Sequence, residues 1–246
     1  MFEILSAIEL TVSASIFVAL VSHALARTWR GRLTVAGVLA AWFALVLMIG
    51  ATGALDPVRG LGVPALGLTV MLPLAALVCT FFVVPSIRNA MLAVPLPALV
   101  AVNAIRVLGV TFLILHAAGR LPAPFAQSAG WGDIFAGVTA LPLAWSIVQF
   151  GSRVQPLVLL WNGIGIADLI AAVGLGALSA PGPLQVFVGP PTSAIMTTLP
   201  WLIVPGFIVP ILMFLHIVIF ARLLAKSQAS EPGYGWRGAA GQAKPA

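Results

Sequence analysis

The sequence predicts an all-α fold, a polytopic transmembrane helix bundle of about seven spanning helices with the N-terminus outside and the C-terminus cytoplasmic. Three observations predict it. Of the 246 residues, 61% are hydrophobic and 7% charged. Soluble domains carry about 25% charged residues, so here the outside of the molecule must be apolar as well as its core. Apolar runs of about 20 residues, long enough to cross a bilayer as a helix, recur along the chain. Lysine and arginine fall mostly on one side of the stack that those runs define.

The runs are residues 5–26, 33–54, 62–84, 95–118, 132–150, 157–178 and 199–223. The first ends at Ala24-Leu25-Ala26, which resembles a signal-peptidase site. Ahead of it, MFEILSAIEL has Glu3 and Glu9 and no basic residue, and Arg27, Arg30 and Arg32 follow it. Positive charge behind the run retains it as a membrane helix, so cleavage is not expected. Pro85-Ser86-Ile87-Arg88 and Pro95-Leu96-Pro97 break the chain between the third and fourth runs.

The stretch GRLPAPFAQSAGWGD (119–133) is semi-apolar and holds Pro122 and Pro124. It reads as an outer loop that dips back into the membrane or lies on its surface, with Asp133 starting helix five as an N-cap. Residues 179–200, rich in Pro and Gly, fit either a cap over an outer cavity or a plain connector. The last run holds Pro205, Gly206 and Pro210. Each proline removes a ladder hydrogen bond and bends the helix, exposing carbonyls. Such breaks line substrate sites in transporters and are also ordinary in membrane helices. Trp29, Trp131, Trp161 and Trp201 fall near predicted helix ends, as in an aromatic belt. Residues 1–226 form one transmembrane domain, and the small, polar tail 227–246 is expected to be disordered and cytoplasmic.

Charge orients the stack. With the N-terminus outside, the cytoplasmic side holds Arg27, Arg30, Arg32, Arg88, Arg153, Arg222, Lys226, Arg237 and Lys244, the outside holds Arg59 and Arg120, and Arg106 is embedded. The net charge of +6 therefore reflects topology and does not point to nucleic acid.

The embedded polar groups are the candidate site. An ionisable side chain at the bilayer centre costs about 2.5–3.5 kcal/mol, so it persists when paired or needed for function. Arg106 lies eleven residues after Pro95 and Asp168 eleven after Leu157, on helices running the same way. At 1.5 Å per residue both lie ~16 Å from the inner edge, near the midplane. A guanidinium can hold a carboxylate through two hydrogen bonds, so the expected unit is an Arg106–Asp168 pair, with Asn103 on the same helical face and Asn162 nearby. The pair reads either as a register-fixing ion pair or as a substrate or proton-relay site. Gly163, Ala167 and Ala171 form a small-residue strip beside Asp168, a packing feature first.

A second group, Glu9, His116, Arg120 and Asp133, is expected at the outer face, as hydrated interface residues or as the mouth of a path inward. A third pair, His23 and His216, is expected near the inner face. Facing histidines can bind haem or a metal, although no third ligand is at metal spacing, and no cofactor is the leading expectation.

Several classes are excluded or unsupported. Lys226 and Lys244 are the only lysines and lie beyond the last span, so no retinal Schiff base can form. There is no His-Glu-x-x-His motif, no P-loop, no recognisable nucleophile–base pair and no arginine array of a voltage sensor. Cys79 is the single cysteine, so no intramolecular disulfide is possible. No internal repeat is apparent.

One run is familiar. Arg106-Val107-Leu108-Gly109, Gly119-Arg120-Leu121-Pro122 with Phe125-Ala126, Ala129-Gly130-Trp131-Gly132-Asp133, then Trp161 and Ala167-Asp168-Leu169 resemble a pattern in uncharacterised bacterial multi-pass membrane proteins, over roughly residues 100–220. The resemblance implies a bacterial cytoplasmic (inner) membrane setting and no activity. The function expected is a small-solute or proton-coupled permease. The alternatives are a membrane-embedded enzyme or cofactor protein and a non-catalytic subunit of a membrane complex. The expected partners are the lipid bilayer and a small solute or other membrane subunits.

Overall fold

A computed structural model describes residues 2–26, 28–57 and 60–229 of the chain. Among these residues the regular elements are helical. Six helical stretches are long and apolar enough to cross a membrane, and the fifth, Ala123–Leu178, is two helices joined by a short turn.

Helices α1 (Phe2–Leu25) and α2 (Trp29–Ala51) form an antiparallel pair. Thr28 caps α2, its hydroxyl accepting from the Gly31 N–H at 3.2 Å. After α3 (Gly62–Val83), the short α4 (Pro85–Ala93) starts on Pro85, where a missing N–H costs no helical bond. The next span has three pieces: α5 (Leu96–Ala101), an eight-residue 3₁₀ segment (Val102–Gly109) and α6 (Val110–Ala117). Helix α7 (Ala123–Phe150) turns at Gly151–Val154 into α8 (Gln155–Leu178). Residues 179–203 then lead through a 3₁₀ turn, Ser193–Thr197, to a π turn, Val204–Ile208, and α9 (Val209–Ala229).

Two contacts gather one end of the bundle. Arg222 of α9 donates to Leu92 O of α4 at 2.9 Å, and Gln155 of α8 donates to Leu223 O of α9 at 3.3 Å. The close of α1 faces α4 across a cavity lined by Leu20, Val21, His23, Ser86 and Asn89. Arg30, Arg32, Arg88, Arg153 and Arg222 therefore share this end. The outside of the bundle is apolar, with Ile8, Val38, Leu72, Trp145, Leu160 and Ile170 exposed. The centre is α9, which packs against α3, α4, α5 and α8.

The π turn follows from its prolines. Pro210 has no N–H for Gly206 O, and Trp42 of α2 supplies one instead, donating from Nε1 at 3.1 Å. The Trp42 and Phe43 rings pack edge-on to Phe207, with centroids 4.8 and 5.1 Å away.

Several expectations are corrected. Residues 123–133 are not a loop but the first three turns of α7. Pro124 is in the helix's first turn, where proline starts a helix as readily as it ends one. Asp133 is accordingly an interior residue of α7 and not its N-cap. Trp161 and Trp201 are buried at 4% and 1% exposure, so of the four only Trp29 and Trp131 are exposed, and Trp131 is the ninth residue of α7 instead of lying at a helix end. Gly163 faces open space and Ala167 is exposed, while Gly165 and Leu169 form the buried face of α8. Residues 227–229 continue α9, and the expectation of a disordered tail otherwise falls on 230–246, outside the described residues.

Candidate functional site

The site forms where the 3₁₀ segment crosses α7, α8 and α9. A 3₁₀ helix repeats every three residues, so positions i, i+3 and i+6 stack on one face. Asn103, Arg106 and Gly109 are those positions, and they are the buried residues of the segment. Glycines bring the backbones together there. A methyl group at Gly137 would overlap the Val107 backbone, one at Gly109 the Asp133 side chain, and one at Gly132 the Asp168 carboxylate.

Arg106 is wholly enclosed and donates in three directions. Its Nε–H reaches Asp133 Oδ1 of α7 at 2.7 Å, and Nη2 reaches Asp168 Oδ2 of α8. From Nη1 it donates to Gly165 O at 3.2 Å and meets His216 Nε2 of α9 at 3.2 Å. Four of the five guanidinium N–H groups thereby have acceptors. The Arg106 side chain has 0% exposure, against 16% for Asp133 and 11% for Asp168.

His216 is held from the other side. Asn162 Nδ2 donates to the backbone O of His216 at 3.0 Å, and Asn162 Oδ1 lies 2.7 Å from ring Nδ1. An amide oxygen only accepts, so Nδ1 carries the proton. The Nε2 lone pair then faces Arg106, and this is the neutral tautomer. The Trp161 ring covers the imidazole, with centroids 5.6 Å apart, while its own Nε1 donates to Thr139 at 2.9 Å.

The structure thus brings together Arg106, Asp168 and Asn162 from the expected midplane group, Asp133 from the expected outer cluster, and His216 from the expected inner pair. Asn103 donates to Leu99 O at 3.0 Å on its own segment, and its buried Oδ1 has no partner. The outer cluster is dispersed. Glu9 accepts from Thr111 at 3.1 Å, His116 bonds Leu121 O and Gln127, and Arg120 lies in the turn after α6. Nor do His23 and His216 form a ligand pair. His23 is exposed beside another cavity, and both ring nitrogens of His216 are engaged. Among the described residues no three His, Cys, Asp or Glu are grouped to hold a metal ion.

Two spaces adjoin the cluster. The smaller, about 50 Å³, touches Arg106, Asp133 and Ser13, enough room for a few waters. The larger, about 250 Å³, lies between α3, α6, α7, α8 and the start of α9. Asp133 lines both. The segment 179–200 contributes Leu184, Ser193 and Met196 to the larger one, so it walls a cavity as well as connecting helices.

The profile of a family described as a domain of unknown function, DUF8737, matches residues 63–224. The chain belongs to this family. The matched region of the DUF8737 domain holds Arg106, Asp133, Asn162, Asp168 and His216, and it leaves out α1 with Glu9 and α2. No curated protein and no solved structure matches the chain.

Proposed function

We propose that this DUF8737 protein is a multi-pass protein of a bacterial cytoplasmic membrane, with seven spans and the C-terminus inside, and that it is a proton-coupled permease for a small solute. The five arginines gathered at one end of the bundle support the orientation. The coupling rests on one observation, a single guanidinium enclosed by two carboxylates and a neutral imidazole halfway along the helices.

The charges do not balance. Among the described residues, Arg106 supplies one positive charge, Asp133 and Asp168 supply two negative ones, and the other titratable group touching the cluster, His216, is neutral. Glu9 of α1 faces Thr111, one residue from Phe112 of the smaller cavity, and is a further acid nearby. In surroundings of low dielectric an uncompensated charge is costly, so the cluster takes up one proton or one monovalent cation. A proton arriving on either carboxylate weakens its hold on Arg106. The guanidinium keeps Gly165 O and His216 Nε2 as acceptors, so it can shift without losing all partners. The 3₁₀ segment that carries Arg106 and the π turn ahead of His216 lack regular α-helical bonding, which makes them the natural hinges.

Infrared spectroscopy of the protein in lipid nanodiscs tests this. The difference spectrum between acid and alkaline buffer is expected to contain one carboxylic acid C=O band that is missing in Asp168→Asn. Vesicles holding the wild type should pass protons faster than vesicles holding that variant. A band that never titrates, together with vesicles as proton-tight as empty ones, leaves a purely structural ion pair.

A further inference from the structure

The larger cavity carries chemistry beyond proton binding. Its walls are apolar, formed among others by Leu66, Val70, Phe112, Phe125, Val173 and Met196. Among the described residues, the one charged side chain that lines it is Asp133. The one hydroxyl there, Ser193 Oγ, already donates to Gly176 O at 2.6 Å. A single carboxylate therefore faces an otherwise greasy chamber. Its Oδ1 is bound by Arg106, and the side chain retains 16% exposure.

That composition selects the occupant. A sugar or amino acid would lose its water without finding donors and acceptors on the walls. An anion would meet Asp133, and the Arg106 donors are already directed at Asp133, Asp168, Gly165 and His216. A divalent metal needs several oxygen ligands, and one carboxylate cannot supply them. An uncharged hydrocarbon fits the walls but leaves the surplus negative charge in place. A small organic cation satisfies both, its apolar body against the walls and its ammonium on Asp133. The Phe112 and Phe125 rings, with centroids 5.6 Å apart, add negative ring faces that favour a cation. The volume of about 250 Å³ lies just under the range of roughly 300–1,000 Å³ for drug-sized sites, so the occupant is small.

We infer that the cavity bounded by α3, α6, α7, α8 and α9 binds a small apolar monoamine as its ammonium ion, with Asp133 as counter-ion. The inference rests on the charge count behind the permease reading, and it names the class of solute. Occupancy by the ammonium or by a proton would then be mutually exclusive, and that exclusion would couple the two movements.

Isothermal titration of the full chain in nanodiscs tests it, using phenethylammonium as the probe and ethylbenzene and phenylacetate as its neutral and anionic counterparts. Saturable one-to-one binding of the ammonium is expected, with both counterparts at least about tenfold weaker, a difference of about 1.4 kcal/mol. Asp133→Asn should weaken it by a similar factor and keeps Arg106 paired with Asp168. Ala177→Phe, which places a ring on the cavity wall nine residues beyond Asp168 on α8, should also weaken binding, and Ala172→Phe, which fills the cavity's middle, should abolish it. Ammonium binding no tighter than ethylbenzene, or binding that survives Ala172→Phe, overturns the proposal. If the amine fails to bind while the infrared band still titrates, this occupant is wrong and the proton reading stands. If it binds while no band titrates, the amine site stands without proton coupling.

Discussion

Helices α2 and α9 are both apolar enough to cross a membrane, yet they occupy opposite environments. Within the most apolar stretch of each span, 72% is buried inside the bundle for Val204–Leu224, the π turn with most of α9, and only 11% for α2. Composition alone does not separate them, because lipid and protein core are equally apolar solvents for a leucine. What separates them is the company of polar and small residues. Helix α9 carries His216 into a cluster built by α7, α8 and the 3₁₀ segment, where glycines let backbones meet. On α2, Gly37 faces open space, with nothing within 4 Å of where a Cβ would stand. Hydropathy finds the helices, and the polar contacts decide which of them are central.

The contrast can be broken from its strongest point downward. Arg106→Met leaves Asp133 and Asp168 facing each other without their cation. Removing one partner of a buried charge cluster costs about 3–5 kcal/mol, so thermal unfolding in nanodiscs should show the largest drop of any change considered. The added change Asp133→Asn should recover part of it, and no recovery would mean that charge is not the cause. Next comes Gly137→Ala, which drives a methyl into the Val107 backbone and is expected to destabilise by about 1–3 kcal/mol. The matched Gly37→Ala on α2 should be neutral or stabilising by up to about 1 kcal/mol, since alanine is the better helix former and space is available. Equal losses at the two glycines would erase the distinction between the regions.

Trp42→Phe sharpens the comparison at the point where the regions touch. It keeps most of the ring packing on Phe207 but removes the donor to Gly206 O, stranding a carbonyl that Pro210 cannot serve. A loss of about 1–3 kcal/mol is expected. A melting temperature unchanged from wild type would show that this carbonyl finds another donor. Of the destabilising changes Trp161→Phe is the mildest: it removes the bond to Thr139 at 2.9 Å and keeps an aromatic ring beside His216, and the loss of the bond is worth about 0.5–1.5 kcal/mol in thermal unfolding.

Much of this was legible from residues alone. Leu96–Ala117 and Gln155–Leu178 are close to the runs expected, and depth counting from their starts selected Arg106 and Asp168, which touch in the structure. Asp133 and His216 were misplaced by one kind of error, a misjudged helix end. Helix α7 begins at Ala123, nine residues before the expected start, so Asp133 is ten residues into it, or ~15 Å at 1.5 Å per residue. The last apolar span is Val204–Leu224 and not 199–223, so the misjudged end is its start, and His216 lies twelve residues after that start where seventeen were expected. Pro122, Pro124, Gly130 and Gly132 look like loop residues in a linear reading. Pro124 opens the helix, and the glycines serve neighbours that are distant in sequence.

By itself the sequence determined the class of the molecule, the number of long apolar helices and the rarity of charge among them, because these depend only on composition and run length. Tertiary structure alone decided which charges meet. A guanidinium has five donors and no preference written into the chain for one carboxylate over another. The crossing of the 3₁₀ segment with α7, α8 and α9 gave Arg106 two acids where helix depth had suggested one, and turned His216 toward it from Asn162.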